Sequence, residues 1–453
     1  MKDNRCIVGM MAAVLVVLLA ATAPAEVKLP KVIDSHMVLQ RDVPLPVWGW
    51  ADPGETVTVT LDGDKATAKA GGDGAWKVTL KPVKADGKPH QLVVSGDAAG
   101  GSKITLEDVL IGEVWLGSGQ SNMEWGLGGT HKAAEALAAA DRPLVRLFNV
   151  PKVQAGEPAK DVKASWKVCS PQSAGRFSGV LYYFGVRIQQ ELDVPVGLIN
   201  SSWGGSRIEP WTITGEGSGG MYNGMIAPVQ PFAIRGAIWY QGESNVADGM
   251  KYFDKKKALV EGWRQVWDRE FPFYLVQLAP FAGYRPGHLP ATWEAQTACL
   301  KIPRTGMAVI TDVVGNVGDI HPRNKLDVGN RLALWALAKD YGKTDLVYSG
   351  PLYKSMKVEG DKIRLSFAHA GGGLKSRDGK PLCEFQIAGE DGKFVAAEAS
   401  IDNQTVVVTA EGVGSPTQVR FGWHKTANPN LVNEEGLPAS PFQTNNWQGA
   451  TGE

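Results

Sequence analysis

Hydrophobic and polar residues alternate with a period of two in the first third of the chain. Residues 56–61 read Thr-Val-Thr-Val-Thr-Leu, and residues 76–80 read Trp-Lys-Val-Thr-Leu. Stretches rich in glycine and aspartate, at 62–64 and 71–74, separate such segments and are typical of turns. Alternation of this kind places one face of each strand against a core. We therefore predict a small β-sandwich over residues 26–108.

The pattern changes over residues 109–342, where short apolar runs alternate with segments of helical periodicity. The predicted strands are Val109–Leu116, Val196–Asn200, Ala237–Tyr240, Phe273–Leu278 and Met307–Thr311. The predicted helices are Leu181–Leu192, Tyr252–Trp267, Thr292–Leu300 and Leu326–Ala338. Fully apolar strands that alternate with helices indicate a parallel sheet covered on both faces. The sequence thus predicts an α/β domain in the middle of the chain.

Alternating segments return over residues 343–453, most clearly at 362–367 and 405–409. We predict a β-rich C-terminal region there. Because no low-complexity linker separates it from the α/β domain, we expect the two to pack against each other.

Residues 1–25 have the pattern of a secretory signal peptide. A lysine and an arginine precede an apolar run over residues 7–21, and residues 23–25 read Ala-Pro-Ala. We predict cleavage after residue 25 and a secreted or periplasmic protein. An uncleaved membrane anchor is the alternative, because the apolar run is almost long enough to cross a bilayer.

Composition limits the classes of partner that we expect. Basic and acidic residues number 47 each in a chain of 453, so charge gives no reason to expect nucleic acid or, after signal removal, a membrane surface. Cys169, Cys299 and Cys383 have no metal-ligand spacing, and we predict no metal and no cofactor. The sequence predicts no oligomeric state.

Polar motifs follow four of the predicted strands. Gly-Gln-Ser-Asn-Met at 119–123 follows the first, and Ser-Ser-Trp-Gly-Gly-Ser at 201–206 follows the second. Gln-Gly-Glu-Ser-Asn at 241–245 follows the third, and Asp-Ile-His-Pro at 319–322 follows the fifth. Since the carboxyl ends of parallel strands share one edge of a sheet, the four loops are expected to form an active site there.

The residue types at this edge match serine hydrolysis. A serine hydroxyl needs a base to take its proton, and Ser121 is the candidate nucleophile. Of the histidines in the α/β region, only His321 follows a strand-end loop with a carboxylate beside it, so it is the candidate base. Asp319 is the candidate for orienting the imidazole, and Asp312 is its rival.

An oxyanion also needs preorganised donors. The candidates are the backbone N–H of Ser121, those of Gly204 or Gly205, and the side-chain amide of Gln241. Glu243 is interpreted as support for Gln241.

Taken together, the motifs resemble a known family. Gly-Gln-Ser-Asn-Met at 119–123, Trp-Gly-Gly-Ser-Arg-Ile-Glu-Pro-Trp at 203–211, Trp-Tyr-Gln-Gly-Glu-Ser-Asn at 239–245 and Asp-Ile-His-Pro-Arg-Asn-Lys at 319–325 occur in order. The chain is similar to the sialate O-acetylesterases, a branch of the SGNH hydrolases related to acetylxylan esterases. The resemblance implies a three-layer α/β/α fold with flanking β-sandwich regions, and a metal-independent esterase.

The resemblance also implies residue roles. Ser121 would attack an acetyl ester carbonyl, and His321 would protonate the departing sugar hydroxyl. Gln241 stands where the wider superfamily has an asparagine. The usual Asp-x-x-His spacing is one residue shorter at Asp319, so a Ser–His pair helped by a backbone carbonyl stays open.

The expected substrate is an O-acetylated sugar, most directly an acetylated sialic acid. Arg207 would bind its carboxylate, since arginine matches a carboxylate bidentately. Asn122, Glu243 and Trp203 complete the predicted substrate site, the tryptophan by stacking on a sugar face. Two alternatives stay open: an esterase for acetylated xylan or another plant polysaccharide, and a non-catalytic carbohydrate-binding protein on the same scaffold.

Overall fold

The structure is a computed structural model that describes residues 26–98, 101–215, 217–445, 447 and 449. The predicted signal peptide, residues 1–25, lies outside the described residues. The N-terminal strands are β1 (Val38–Gln40), β2 (Leu45–Trp50), β3 (Thr56–Leu61), β4 (Asp64–Lys69), β5 (Ala75–Leu80), β6 (His90–Gly96) and β7 (Lys103–Gly119). Along β3 and β5, buried residues alternate with partly or fully exposed ones, as the period-two pattern predicts.

Strand β7 is long enough to belong to two layers. Its first half pairs antiparallel with β6, between Lys103 and Val109. Its second half, from Glu113 to Gly119, pairs parallel with a strand of the central sheet. One continuous strand therefore crosses position 108, where the sequence analysis places a domain boundary.

The central sheet adds six strands to β7. They are β8 (Arg142–Asn149), β9 (Trp166–Cys169), β10 (Val196–Ser202), β11 (Gly236–Tyr240), β12 (Phe273–Val276) and β13 (Thr305–Ala308). The order across the sheet is β13-β12-β11-β7-β10-β8-β9, and every pair is parallel except β8 with β9. The helices are α1 (Ser121–Glu124), α2 (Ala133–Ala138), α3 (Pro171–Ala174), α4 (Gly179–Leu192), α5 (Lys251–Trp267), α6 (His288–Ala298) and α7 (Lys325–Asp340). Single 3-10 or π turns lie at Leu127–Gly129, Glu209–Trp211, Tyr222–Ile226, Ala227–Val229, Glu243–Asp248 and Cys299–Lys301.

Successive residues of the central strands pack alternately into two separate hydrophobic cores, one on each face of the sheet. Trp115 and Ile238 pack in the core that holds the inner faces of α4 and α7. Leu116 and Trp239 pack in the opposite core, which α5 and the N-terminal strands share. Side chains of a strand point to opposite faces in turn, so each strand is buried on both sides and is apolar throughout. The predicted fold class, a parallel α/β sheet with extra β regions, is confirmed.

The C-terminal strands form small antiparallel sheets with a third core. They are β14 (Leu352–Glu359), β15 (Lys362–Ala368), β16 (Leu374–Ser376), β17 (Phe385–Ala388), β18 (Val395–Ala396), β19 (Glu398–Asp402), β20 (Thr405–Thr409), β21 (Gln418–Phe421), β22 (Leu431–Asn433) and β23 (Phe442–Gln443). This region contacts the central domain through hydrogen bonds such as Gln277 Nε2 to Ser440 Oγ at 2.9 Å. Within the described residues, no helix has the length and apolarity that crossing a membrane requires.

Candidate active site

Three neighbouring strands of the sheet end at the same level. Gly119, the last residue of β7, is in register with Ser202 of β10 on one side and with Tyr240 of β11 on the other. The loops that follow these strands therefore leave the sheet side by side. The tight exit of β7 requires glycine, because Gly119 has φ +136° and a Cβ there would lie 2.2 Å from the carbonyl oxygen of Tyr240.

Ser121 and His321 meet above these strand ends. Ser121 is the first residue of α1, and its Oγ lies 2.8 Å from Nε2 of His321, 200 residues along the chain. The imidazole is stacked against the ring of Trp125, with the ring centroids 5.1 Å apart. A hydroxyl within hydrogen-bond reach of an imidazole is the geometry that a serine nucleophile and its base require.

The two candidate acids lie in different surroundings. Oδ1 of Asp319 is 3.8 Å from Nδ1 of His321, which is too long for a hydrogen bond, and it accepts the backbone N–H of His321 at 2.8 Å. Asp312 forms a bidentate ion pair with Arg331, at 2.6 and 2.7 Å. Asp319 is thus the nearer carboxylate, and its influence on the ring is electrostatic in this structure.

The backbone at Gly204 lies against Ser121. A Cβ built on Gly204 would be 3.4 Å from Cβ of Ser121, so this stretch of chain approaches Ser121 closely. The N–H of Gly204 donates to Oε2 of Glu124 at 2.6 Å. The N–H of Ser121 lies in the first turn of α1, where backbone donors have no partner within the helix. Gly205 follows in an exposed turn with φ +75°.

Gln241 does not reach this cluster as a donor. Its side chain is fully buried, and Nε2 donates to the carbonyl oxygen of Ser206 at 3.1 Å and to Oδ1 of Asn245 at 2.7 Å. Its Oε1 accepts the hydroxyl of Tyr252 at 2.9 Å. Both amide hydrogens are therefore engaged inside the protein. The assignment of the Gln241 amide to the oxyanion hole stays a prediction; in this structure the amide holds the loop after β11 in place.

Asn122 and Glu243 are also internal. The Asn122 side-chain amide donates to Glu243 Oε1 and to the carbonyl oxygen of Ile320, and its Oδ1 accepts from the Lys325 ammonium. Asn122 is 1 % exposed, and its role in substrate binding stays a prediction. These contacts tie α1 to the loop that carries His321 and to the start of α7.

Burial shifts the pKa values of three ionisable groups behind Ser121. Partial burial lowers the pKa of His321 below its usual value, and the nearby Lys325 charge lowers it further, against the opposite pull of Asp319. Burial also lowers the pKa of Lys325, to about 7, and raises the pKa of the Glu243 carboxyl. A lowered imidazole pKa favours the neutral ring, which is the form that can accept the Ser121 proton.

Arg207 is already paired. Its guanidinium donates to Glu209 at 2.9 Å, to Asp248 at 3.2 Å and to the carbonyl oxygen of Ser244 at 2.8 Å. Two carboxylates thus hold the cation that the sequence analysis assigns to a substrate carboxylate. Trp203 is half-buried against the core, while its backbone N–H donates to the carbonyl oxygen of Gly119 at 3.0 Å.

Two clefts lie near the Ser121–His321 pair, one lined by His321 itself and the other by Trp125, which stacks on the imidazole, and both contain residues that the sequence did not single out. One is lined by His321, Asp319, His131 and Arg323. The other is lined by Glu124, Trp125, Lys152 and Arg176, together with amide side chains. Glu124 follows Ser121 by three residues, one helical turn, and this spacing was the available signal for it. Lys152 and Arg176 carry no motif. Among the described residues, no group of three or more histidine, cysteine or acidic side chains is arranged to hold a metal ion.

Comparison with known proteins identifies the family. The family model described as "Carbohydrate esterase, sialic acid-specific acetylesterase" matches residues 111–337. The chain is 31% identical to human sialate O-acetylesterase over 90% of this chain and 91% of that protein, and 33% identical to the mouse enzyme over 72% and 76%. A crystal structure of a carbohydrate acetylesterase from Xanthomonas citri has a TM-score of 0.89 and 41% identity, and the match covers 93% of this chain and all of that one. The chain therefore belongs to the sialic acid-specific acetylesterase family of carbohydrate esterases, and it is a carboxylic ester hydrolase.

Proposed function

We propose that this protein is a serine esterase that removes O-acetyl groups from carbohydrates, with O-acetylated sialic acid as its substrate. The observation that carries the serine mechanism is the 2.8 Å contact between Ser121 Oγ and His321 Nε2. This contact lies where three neighbouring parallel strands of the sheet end in register. The substrate is inferred from the relatives, which are named as sialate O-acetylesterases.

The proposed reaction has two halves. Ser121 Oγ attacks the acetyl carbonyl carbon while His321 Nε2 takes the hydroxyl proton. The oxyanion that forms accepts hydrogen bonds from the N–H of Ser121 and from the N–H of Gly204. The Gly204 N–H becomes available for this once the Glu124 side chain has moved away from it. The bond to the sugar oxygen then breaks, and His321 returns the proton to that oxygen. In the second half His321 takes a proton from water while the water oxygen adds to the acetyl carbonyl carbon. The bond between that carbon and Ser121 Oγ then breaks, His321 returns the proton to Oγ, and acetic acid leaves and ionises to acetate.

Acetate release by the purified protein tests this proposal. The substrates are an O-acetylated sialic acid, an acetylated xylo-oligosaccharide and p-nitrophenyl acetate. Ser121→Ala is expected to lose activity on all three. Ser400→Ala, at an exposed position of β19 in the C-terminal region, is the matched control and is expected to keep it. Equal turnover by wild type and Ser121→Ala would refute the serine mechanism, and sugar binding without turnover would favour a binding protein.

Acetylated neutral sugars are the second candidate substrate. The observation that favours them is the pairing of Arg207 with Glu209 and Asp248, which removes the cation first expected to bind an acidic sugar. Higher kcat/KM on the acetylated xylo-oligosaccharide than on the acetylated sialic acid would support this candidate.

We also propose that the protein acts outside the cytoplasm. This proposal rests on the signal-peptide pattern of residues 1–25. N-terminal sequencing of the protein from culture medium or periplasm is expected to begin at Glu26, and an intact leader on cytoplasmic protein would contradict it.

A further inference from the structure

The cleft beside Ser121 carries positive charge that the reaction described above does not use. Lys152 and Arg176 both line it, together with the side chains of Asn149, Asn200 and Ser202. The Lys152 side chain is 43% exposed, and Arg176 is exposed at the cleft wall. Among the described residues that line this cleft, Glu124 is the one with an acidic side chain. The cleft is therefore cationic apart from one carboxylate.

That carboxylate links the cleft to the reaction centre. Glu124 pairs with the Lys152 ammonium through Oε1 and accepts the Gly204 N–H through Oε2 at 2.6 Å. The Lys152 ammonium and the Gly204 N–H therefore bind the two oxygens of the same carboxylate group in this structure. Glu124 is itself one-third exposed, so its side chain can turn into the cleft without disturbing a core.

Lys152 differs from Arg207 in what it holds. Arg207 contacts two carboxylates and a backbone carbonyl, and Lys255 binds the same two carboxylates, so this network is closed without a ligand. Lys152 has a single ion-pair partner among the described residues, Glu124. An incoming carboxylate can take the place of that one partner, because the exchange keeps the ammonium paired.

We propose that Lys152 binds the carboxylate of an acidic sugar substrate, and that Glu124 occupies this place and the Gly204 N–H until the substrate arrives. The inference rests on the proposed function and names the group that recognises its substrate. A backbone N–H has one hydrogen, so Gly204 cannot serve an oxyanion while Glu124 holds it. Repulsion between the substrate carboxylate and Glu124 turns the Glu124 side chain away, which couples recognition of the acidic sugar to release of the Gly204 donor.

Inhibition by ligands that carry no O-acetyl ester tests the carboxylate site apart from turnover of the sugar ester. The probe pair is the methyl glycoside of N-acetylneuraminic acid and the methyl ester of the same compound, which lacks the charge. Each competes with p-nitrophenyl acetate, and Ki is measured in wild type, Lys152→Met and Glu124→Gln. Arg207→Met tests the rival cation. Lys163→Met, at an exposed lysine outside the clefts described above, is the matched control.

Substitutions of Lys152 and of Glu124 are expected to change Ki of the free acid in opposite directions. Lys152→Met raises Ki of the free acid about tenfold, the scale of one lost charged hydrogen bond, and leaves Ki of the methyl ester nearly unchanged. Glu124→Gln lowers Ki of the free acid, because the internal competitor has lost its charge. Lys163→Met and Arg207→Met keep the wild-type ratio of the two Ki values. Loss of packing around Lys152 would weaken both ligands together, so it does not imitate this pattern.

Several outcomes would overturn the inference: an unchanged Ki ratio in Lys152→Met, weaker acid binding in Glu124→Gln, or a loss of acid preference in Arg207→Met. If Lys152→Met melts at a lower temperature than wild type, Lys152→Arg must restore the acid Ki, and its failure to do so counts against the site. Wild type that hydrolyses p-nitrophenyl acetate through Ser121 but binds acid and ester equally refutes this inference alone. Wild type that hydrolyses no acetyl ester refutes the proposed function.

Discussion

Replacing Asp319 with asparagine is expected to reduce kcat about tenfold, far less than the loss of a hydrogen-bonded triad aspartate. Oδ1 of Asp319 lies 3.8 Å from His321 Nδ1, and the side chain is 45% exposed. A carboxylate and an imidazolium at this separation attract each other by about 1 kcal/mol in water and about 4 kcal/mol at an effective dielectric constant of 20. Exposure places the pair near the lower value, and about 1.4 kcal/mol corresponds to a tenfold change in rate.

Asparagine suits this test because it preserves the loop. Its side-chain oxygen still accepts the His321 backbone N–H, which Asp319 Oδ1 now accepts at 2.8 Å. Asp319→Ala removes both the charge and this hydrogen bond, so the difference between the two variants measures the positional contribution. Asp312→Asn tests the rival carboxylate and is expected to act on stability, through its ion pair with Arg331.

The assay is steady-state hydrolysis of p-nitrophenyl acetate at a pH where His321 is neutral. A triad aspartate hydrogen-bonded to its histidine contributes about 10⁴ to kcat in serine proteases. A loss of that size in Asp319→Asn would show that the loop closes onto Nδ1 during the reaction, and would refute a purely electrostatic role. An unchanged kcat would show that the imidazolium is stabilised by another group.

Four further results are expected. Gln241→Ala should destabilise the protein by about 1–3 kcal/mol in urea unfolding, because Asn245 and Tyr252 lose buried partners; a 100-fold or greater loss of kcat at unchanged stability, the size of about one oxyanion donor, would contradict this. The acid limb of kcat/KM against pH should lie below the usual histidine value of about 6.5, because burial and Lys325 lower the pKa of His321 and the neutral ring is the active form. Lys325→Met removes the second of these causes and should move that limb to higher pH, whereas an unmoved limb would show that Lys325 carries no charge there. Glu113→Ala should reduce the free energy of unfolding by about 3–5 kcal/mol, because it leaves the partly buried Arg235 without its carboxylate, and a change below about 1 kcal/mol would refute that reasoning.

The alternation of apolar strands and helices was sufficient to predict the sheet and the edge where its loops meet. Strands β7, β10 and β11 were predicted because each is buried on both faces and is therefore apolar throughout. Strand β8 was not predicted, because its first residues are only partly buried and include Arg142 and Pro143. The change of pattern at position 109, which the sequence analysis interprets as a domain boundary, lies where one strand passes from a partly exposed layer into a buried one.

Loop side chains were harder to place than strands. Gln241 follows Tyr240 at the end of β11, and successive side chains on a strand point to opposite faces. Tyr240 packs in the core that holds α4 and α7, and Gln241 is directed to the other face, where it contacts Tyr252 of α5. The contacts of Glu124 with Gly204 and of Arg207 with Asp248 join residues 80 and 41 positions apart, and local sequence carries no signal for them.

The continuity of β7 has a mechanical consequence. At about 3.3 Å per residue its 17 residues span at most roughly 55 Å, with Lys103 at one end and Ser121 two residues beyond the other. Hydrogen bonds to neighbouring strands flank both halves of the strand, but a bulge interrupts it at Asp108, where φ is +54° and the register with β6 shifts. Bending of the N-terminal layer relative to the central sheet is therefore expected at Asp108, and not at the strand end that leads to Ser121.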